Sequence, residues 1–456
     1  MESTPETSRT KAASRPIRPA SVHAKEYLRK HQLHPAQIRD APAPNLDLVV
    51  VIPCHDEPDV LSTLADLKGC ADCGRAVEVI VVFNASEADD ESVRRRNAEA
   101  LAAVEAWARR LPQGPRFRVH GISFPALPAR HAGVGLARKL GMDEALARML
   151  ESGADNGIIV SLDADCRVDP DYLEAVARHF EAQPGSIACS IYFEHPLEDL
   201  SSDAQRRAII DYELFLRYYR HGLRWAGHPC AHYTVGSCMA VRASTYAKQG
   251  GMNRRQAAED FYFLNKLMLL GGFGEVTDTV VRPSSRPSRR VPFGTGRSVR
   301  KALAEPATPL KVCAPGVFDE LRALFCRIDD LRRGPDAALK VQPRVMKEFL
   351  AGCGAREKLD EISRHTASAD AYRSRFFRWF DGFRVYKFIR FAGRQAYGEV
   401  PVGDAAAQLL EQVFPEAAQG DRDAQRLLRC YRDLDRRRAA SPAASVPQTA
   451  ATGGRP

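Results

Sequence analysis

The sequence is short of several features, and each shortage excludes a class of protein. No apolar run in its 456 residues approaches the roughly 18–20 that a membrane-spanning helix needs, so no transmembrane segment is expected. The first 30 residues lack the apolar stretch of a secretory signal. Cysteines number 11, an odd count, and are scattered from Cys54 to Cys430. That distribution suits reduced thiols in a cytoplasm better than a disulfide framework. Cys70-x-x-Cys73 has no second pair and no histidine at finger spacing, so structural zinc is excluded. No internal repeat is visible. Neither charge sign dominates: 66 basic and 57 acidic residues leave +9, enough to favour anionic partners without naming one. With 45% hydrophobic and 27% charged residues, the composition rules out a wholly disordered or collagen-like chain.

What is present alternates. The apolar runs 48–52 and 79–83 read as buried parallel strands, with helical patterns at 58–68, 91–110 and 136–151. A third buried strand is expected at 157–162, with a helix from Pro170 capped by Asp169. Strands and helices in this order predict an α/β sheet, whose ligands bind at the carboxyl ends of its strands. After about residue 305 the strand signals stop, and 315–333 and 343–440 read as helices. The expected organisation is a disordered basic leader at 1–44, a sheet domain at 45–305, a helical region at 306–440 and a disordered tail at 441–456.

Three segments carry chemistry. In 157–172 (GIIVSLDADCRVDPDY) the strand runs straight into Asp163 and Asp165, which stand two apart and can face one site. Such a pair suits a hard divalent cation that completes its shell with phosphate oxygens. Elsewhere an Asp-x-Asp is more often one cap and one solvated side chain; the preceding strand tips the balance here. Glu259-Asp260 opens a helix, with Phe261, Leu264, Leu267 and Met268 at helical spacing. The helix dipole alone would favour carboxylates there, but Asp260 is also a candidate general base. The segment 282–301 carries basic residues and no acidic one, and its Pro and Gly predict a loop with Arg282, Arg286, Arg289 and Arg290 near its start. Arginine forks match a diphosphate; a nucleic-acid patch and a solvated loop are the rival readings.

With these motifs in order, residues 46–300 resemble the family 2 glycosyltransferases of the GT-A fold. The stretch 46–58 (LDLVVVIPCHDEP) is similar to the family's first strand and turn, which implicates Pro53, His55 and Glu57 beside the nucleotide base. Asn84 stands near where many members carry an Asp that contacts uracil. Gly133, Gly135, Arg138 and Gly141 match the family's Gly-x-Gly-x-Ala-Arg-Asn-x-Gly stretch, with Lys139 in place of Asn, and Arg138 is placed near the nucleotide. The resemblance puts Asp163 and Asp165 on the metal pair, Gly236-Ser237 on the site floor, and Glu259-Asp260 on the Glu-Asp motif whose Asp is the base in inverting members. Arg282 joins the donor-binding set.

The resemblance therefore implies a GT-A-like, Rossmann-type mixed sheet flanked by helices, with a helical C-terminal extension. The implied reaction is metal-dependent, with Mn²⁺ or Mg²⁺, and moves a single sugar with inversion from a nucleotide-diphosphate sugar, a UDP-sugar first, to an acceptor hydroxyl. No Gln-x-x-Arg-Trp follows Glu259-Asp260, so processive synthesis is not expected. A nucleotidyltransferase on a similar sheet is the alternative enzyme, though its Gly-rich loop with a following Lys is missing. A non-catalytic protein gripping nucleic acid or membrane is the alternative of another class. His228 and His232 read as packing or surface histidines. Aromatics at 212, 215, 218 and 219 read as one packed helix. Residues 376–391, with eight aromatics and four basic residues, read first as a core helix and second as a contact with the inner face of a membrane or with a lipid-linked acceptor.

Overall fold

The computed structural model describes residues 20–437 except 113, 115, 199, 289–293, 306, 307, 419 and 421. Arg289, Arg290, the first 19 residues and the expected tail lie outside the described residues. An eight-stranded mixed sheet forms the frame. In chain order its strands are β1 (Leu46–Cys54), β2 (Ala76–Ser86), β3 (Phe117–Leu127), β4 (Ile158–Ser161), β5 (Arg167–Val168), β6 (Ala188–Phe193), β7 (Met239–Arg242) and β8 (Phe273–Arg282). Their spatial order is β3-β2-β1-β4-β7-β6-β8-β5. The first four run parallel, and β7 lies antiparallel between β4 and β6.

Alternation along β1 explains why both faces need cover. Leu48, Val50 and Ile52 enter one core, packed under helices α2 (Val60–Gly69), α3 (Glu91–Arg110) and α5 (Tyr172–Ala182). Val49 and Val51 enter the other, under α4 (Val134–Ser152), α7 (Ala243–Lys248) and α8 (Glu259–Met268). The helix expected from Pro170 starts at Tyr172, because Asp169 spends its carbonyl on the Tyr172 N–H of a preceding turn. Part of the stretch expected to be mobile is ordered: α1 (Ala20–His31) packs on α4 and α7. Its Tyr27 hydroxyl donates to Asp143 at 2.7 Å and accepts from the buried Lys139 ammonium at 2.6 Å. A single Tyr in a polar segment has no periodicity to reveal such a contact.

A third core joins α6 (Asp203–Ala226) to the C-terminal helices. Before them, α9 (Thr295–Ala304) packs in a separate small cluster with α6. The helices of the third core are α10 (Gly316–Phe325), α11 (Ile328–Arg333), α12 (Pro335–Lys340), α13 (Arg344–Gly352), α14 (Ala355–Arg364), α15 (Ala369–Trp379), α16 (Gly382–Ala392), α17 (Val402–Val413) and α18 (Ala424–Arg437). The helix α9 begins inside the segment expected to be a loop: Gly294, at φ +95°, ends the irregular stretch, and no Pro follows until after Ala304. Two short strands, β9 (Lys311–Cys313) and β10 (Glu399–Pro401), pair antiparallel where no strand was expected. Three residues are too few for an alternation signal.

Candidate active site

A cleft of ≈530 Å³ opens at the carboxyl ends of β1, β2 and β4. It gathers Pro53, His55, Glu57, Asn84, Arg138, Asp163, Asp165, Gly236, Ser237, Glu259 and Asp260 from separate parts of the chain. Arg282 is not among its lining residues. That guanidinium pairs instead with Asp169 at the outer end of β8. Four residues further on, Arg286 takes the place expected of Arg282.

The turn after β1 is built for approach. Asp56 adopts φ +51°, a strained conformation for a residue with a side chain, and its N–H is held by the Asn97 carbonyl oxygen of the side chain at 2.9 Å. His55 Nδ1 lies 2.8 Å from the Asn84 carbonyl, tying β1 to β2. Asp89, five residues beyond Asn84, also lines the cleft, with its carboxylate 3.9 Å from His55 Nδ1. Sequence reading stopped at the strand end and missed this acid, because a short loop carries it back.

Asp163 and Asp165 occupy the turn leaving β4. The buried Thr63 hydroxyl of α2 lies 2.8 Å from the carbonyls of both Ala164 and Cys166, which pins that turn from behind. The two carboxylates are 38% and 27% exposed, so both reach solvent in the cleft. Each also meets an arginine: Arg138 donates to Asp163 Oδ1 at 2.7 Å, and Arg286 comes within 3.3 Å of Asp165 while donating to Glu57 at 2.8 Å. Their donor set is oxygen only, which suits a hard cation such as Mg²⁺ or Mn²⁺. Among the described residues no group of three or more His, Cys, Asp or Glu could enclose a metal. Asp163 and Asp165 therefore offer two carboxylates, and a cation there would complete its shell with oxygens from outside the chain, such as those of a ligand's phosphates. The residues fit such a shared ion.

Arg138 is the hub. Fully buried, it donates to Ser161 at 2.8 Å, to Asp163, and to Glu259. Burying a guanidinium is costly unless paired, and two carboxylates supply the pairing. Glycines make room for it. A Cβ on Gly236 would lie 2.8 Å from the guanidinium, and one on Gly135 would lie 2.3 Å from the Arg255 carbonyl. The glycines of 133–135 thus let α4 press against the segment that delivers Glu259. Lys139 points away from the cleft into the α1 contact.

The acidic pair opens α8 immediately after Ala258, whose φ of +58° is strained for a Cβ-bearing residue. Asp260 accepts the Gly236 N–H at 2.9 Å and the Phe261 N–H at 2.7 Å. Burial raises both carboxyls above their usual range, Glu259 to about 7, while the positive charge of Arg138 opposes the rise.

The opposite wall comes from α6 and the loop before β7. Tyr212, Leu216, Tyr219, Arg220 and Leu223 face the cleft, with His232 and Tyr233. The aromatics of α6 divide accordingly: Tyr212 faces the cleft, Tyr219 lines the cleft and packs against the helical core, and Tyr218 and Phe215 pack in that core. His232 Nδ1 lies 3.0 Å from Glu275, which also takes Arg220 at 2.6 Å; these charges hold Glu275 down at about 2. His228 is buried, pushed down to about 4, and lies 3.1 Å from the Phe380 carbonyl; it is a packing residue.

Residues 49–248 match the family model described as glycosyl transferase family 2. No curated protein matches the chain. Among solved structures, residues 1–349 of TarS from S. aureus in complex with UDP-GlcNAc are similar at 13% identity and a TM-score of 0.39, covering 73% of this chain and 92% of that one. A mannosyltransferase from Pyrobaculum calidifontis in complex with GDP-Man and Mn²⁺ is similar at 15% identity and a TM-score of 0.33, covering 92% of this chain and 94% of that one.

Proposed function

We propose that this chain, whose residues 49–248 match the glycosyl transferase family 2 model, is a glycosyltransferase that moves one sugar from a nucleotide-diphosphate donor, a UDP-sugar first, to an acceptor hydroxyl with inversion. One observation carries the reading. The candidate cation pair, Asp163 and Asp165, and the candidate base, Asp260, face one cleft, where the buried Arg138 bonds Asp163 and the Glu259 that adjoins Asp260.

In this reading Asp260 takes the acceptor proton as the hydroxyl attacks the sugar carbon. Its two backbone N–H donors fix the carboxylate in place, so little reorientation is needed on reaction. Its raised affinity for a proton makes it a stronger base than a solvated Asp. A divalent cation bound at Asp163 and Asp165 would neutralise charge on the leaving diphosphate. Arg286 stands beside Asp165 and Glu57 on the segment that lines the cleft's rim. By turning from Glu57 towards phosphate it would add a guanidinium to the donor and shield it from water. The His55 turn with Asn84 and Asp89 is the proposed base-binding end, and the Tyr212–Tyr219 wall the acceptor end.

No helix among the described residues is long and apolar enough to cross a membrane. With no processive motif after Asp260, single transfer is the proposed outcome. A thermal-shift panel of nucleoside diphosphates and sugar nucleotides, with Mn²⁺ or Mg²⁺ and with EDTA, tests the donor and the ion together. A ligand at 100 times its Kd stabilises by about 2.7 kcal/mol. The expected result is a response to one nucleotide that EDTA diminishes and that Asp165→Ala makes insensitive to EDTA. A response identical with and without chelator would remove the metal from the proposal.

A further inference from the structure

A second hollow, ≈520 Å³, lies among α14, α15 and α16, apart from the cleft described above. Five cationic side chains line it: Lys358, Arg375, Arg378, Arg384 and Lys387. Its two acids are already engaged. Glu361 is held by Lys358 at 2.8 Å, and Asp381 accepts the Arg384 N–H as the cap of α16. Among the described residues Arg375, Arg378 and Lys387 have no acidic partner. The Trp379 and Phe383 rings hold two of the cations in place, with Arg384 4.9 Å from the Trp379 centroid and Lys387 4.6 Å from that of Phe383.

Five cations converging on one hollow with two committed acids repel one another, and a multivalent anion would relieve that repulsion. The guanidinium groups of Arg375, Arg378 and Arg384 suit a phosphate, which accepts several charge-assisted bonds at once. We propose that this hollow is a phosphate-binding site, taking the phosphate or diphosphate group of a ligand that also approaches the catalytic cleft. The chain itself supplies the adjacency. Gly382 lines the cleft, while its neighbours Asp381 and Phe383 line the hollow. That the ligand is the sugar acceptor rests on the proposed transfer reaction; the phosphate site does not. Its carrier is either a soluble phosphorylated compound or a lipid headgroup.

The full-length protein and an Arg375→Ala/Arg378→Ala/Lys387→Ala variant would be titrated with inorganic pyrophosphate. All three residues are exposed, so the fold should survive. The expected result is the loss of one pyrophosphate site, or at least tenfold weaker binding there, with unchanged nucleotide-induced thermal shift at the catalytic cleft. An Arg375→Lys/Arg378→Lys variant should bind close to wild type. Equal pyrophosphate stoichiometry and affinity in the wild type and the alanine variant would overturn the site. Sedimentation with phosphatidylcholine vesicles, with and without phosphatidylglycerol, separates the carriers. Pelleting that requires phosphatidylglycerol and the three cations identifies a headgroup; pyrophosphate binding without pelleting identifies a soluble ligand. A wild type that binds pyrophosphate in the hollow but no nucleotide would count against the proposed transfer reaction alone.

Discussion

Asp260 stands where burial and access compete. Desolvation lifts its pKa above the ordinary value, Arg138 restrains the rise, and the side chain still borders the cleft. A base must be ionised to act, so activity should rise with pH through a value above 3.8. The expected acid limb of kcat/KM therefore lies higher than a solvated Asp would give, and a limb at or below 3.8 would contradict this. Stability responds to Glu259 in the opposite sense. Its carboxyl holds its proton to about 7 when folded against 4.5 for the free group, so the native state binds more protons in that window. Glu259 thus lowers stability as pH rises from 4.5 to about 7. Urea titrations of Glu259→Gln and wild type at both ends of the window should show the wild type losing more on going up. At this scale the sequence was most informative: apolar strand followed by Asp163 and Asp165, and an acid pair opening a helix, are local patterns. Arg282 lies outside the cleft lining and Arg286 within it, because a basic segment does not say which of its arginines turns inward. Asp89 was not legible because position along a loop is not position in space.

Elements explain why the site has its shape. The helix α4 and the 255–259 segment approach closely enough that a Cβ on Gly135 would lie 2.3 Å from the Arg255 carbonyl and 2.9 Å from the Glu259 Cβ. Gly135→Ala should therefore push Glu259 away from Arg138. Overpacking of this kind costs about 1–3 kcal/mol, read as a lowered urea midpoint together with a lowered kcat. An alanine variant with wild-type midpoint and kcat would show that the contact is dispensable. Continuous apolar strands such as β1 and β2 were legible, since burial on both faces writes itself as an unbroken run. β3 was not, because its exposed and half-buried residues break the pattern. Likewise the aromatics of α6 share one periodicity, and only tertiary placement divides them between cleft and core.

At the scale of the whole molecule, the last helix reaches back to the cleft. Asp435 of α18 accepts from Tyr233 at 2.6 Å, lies 2.8 Å from His221 Nε2, and pairs with both Arg217 and Arg220. Glu213 of α6 takes Arg217 at 2.7 Å and Arg432 of α18 at 2.8 Å. Neighbouring positive charge outweighs burial and holds both acids well below the usual carboxylate range, so their contribution is present above the ordinary values of 3.8 and 4.5 and is lost as pH falls below them. Asp435→Asn leaves Arg217 with Glu213 and Arg220 with Glu275 as their remaining counter-charges, and should cost up to about 3 kcal/mol. Because Arg220 and Tyr233 line the cleft, the same change should raise the acceptor KM more than it lowers donor binding. Chemical denaturation and acceptor titration check the two parts. No periodic signal links residue 435 to residue 220, so this bond between extension and site could be seen only in three dimensions.

The central claim is that this cleft releases a nucleoside diphosphate by sugar transfer with Asp260 as base. Its most direct test is nucleoside diphosphate release from a panel of sugar nucleotides with a divalent cation and candidate acceptors, for wild type and Asp260→Asn side by side. The wild type should show acceptor-dependent release from one donor, and the variant none although it still binds that donor. Equal release by the variant, or no release from any donor, would contradict it.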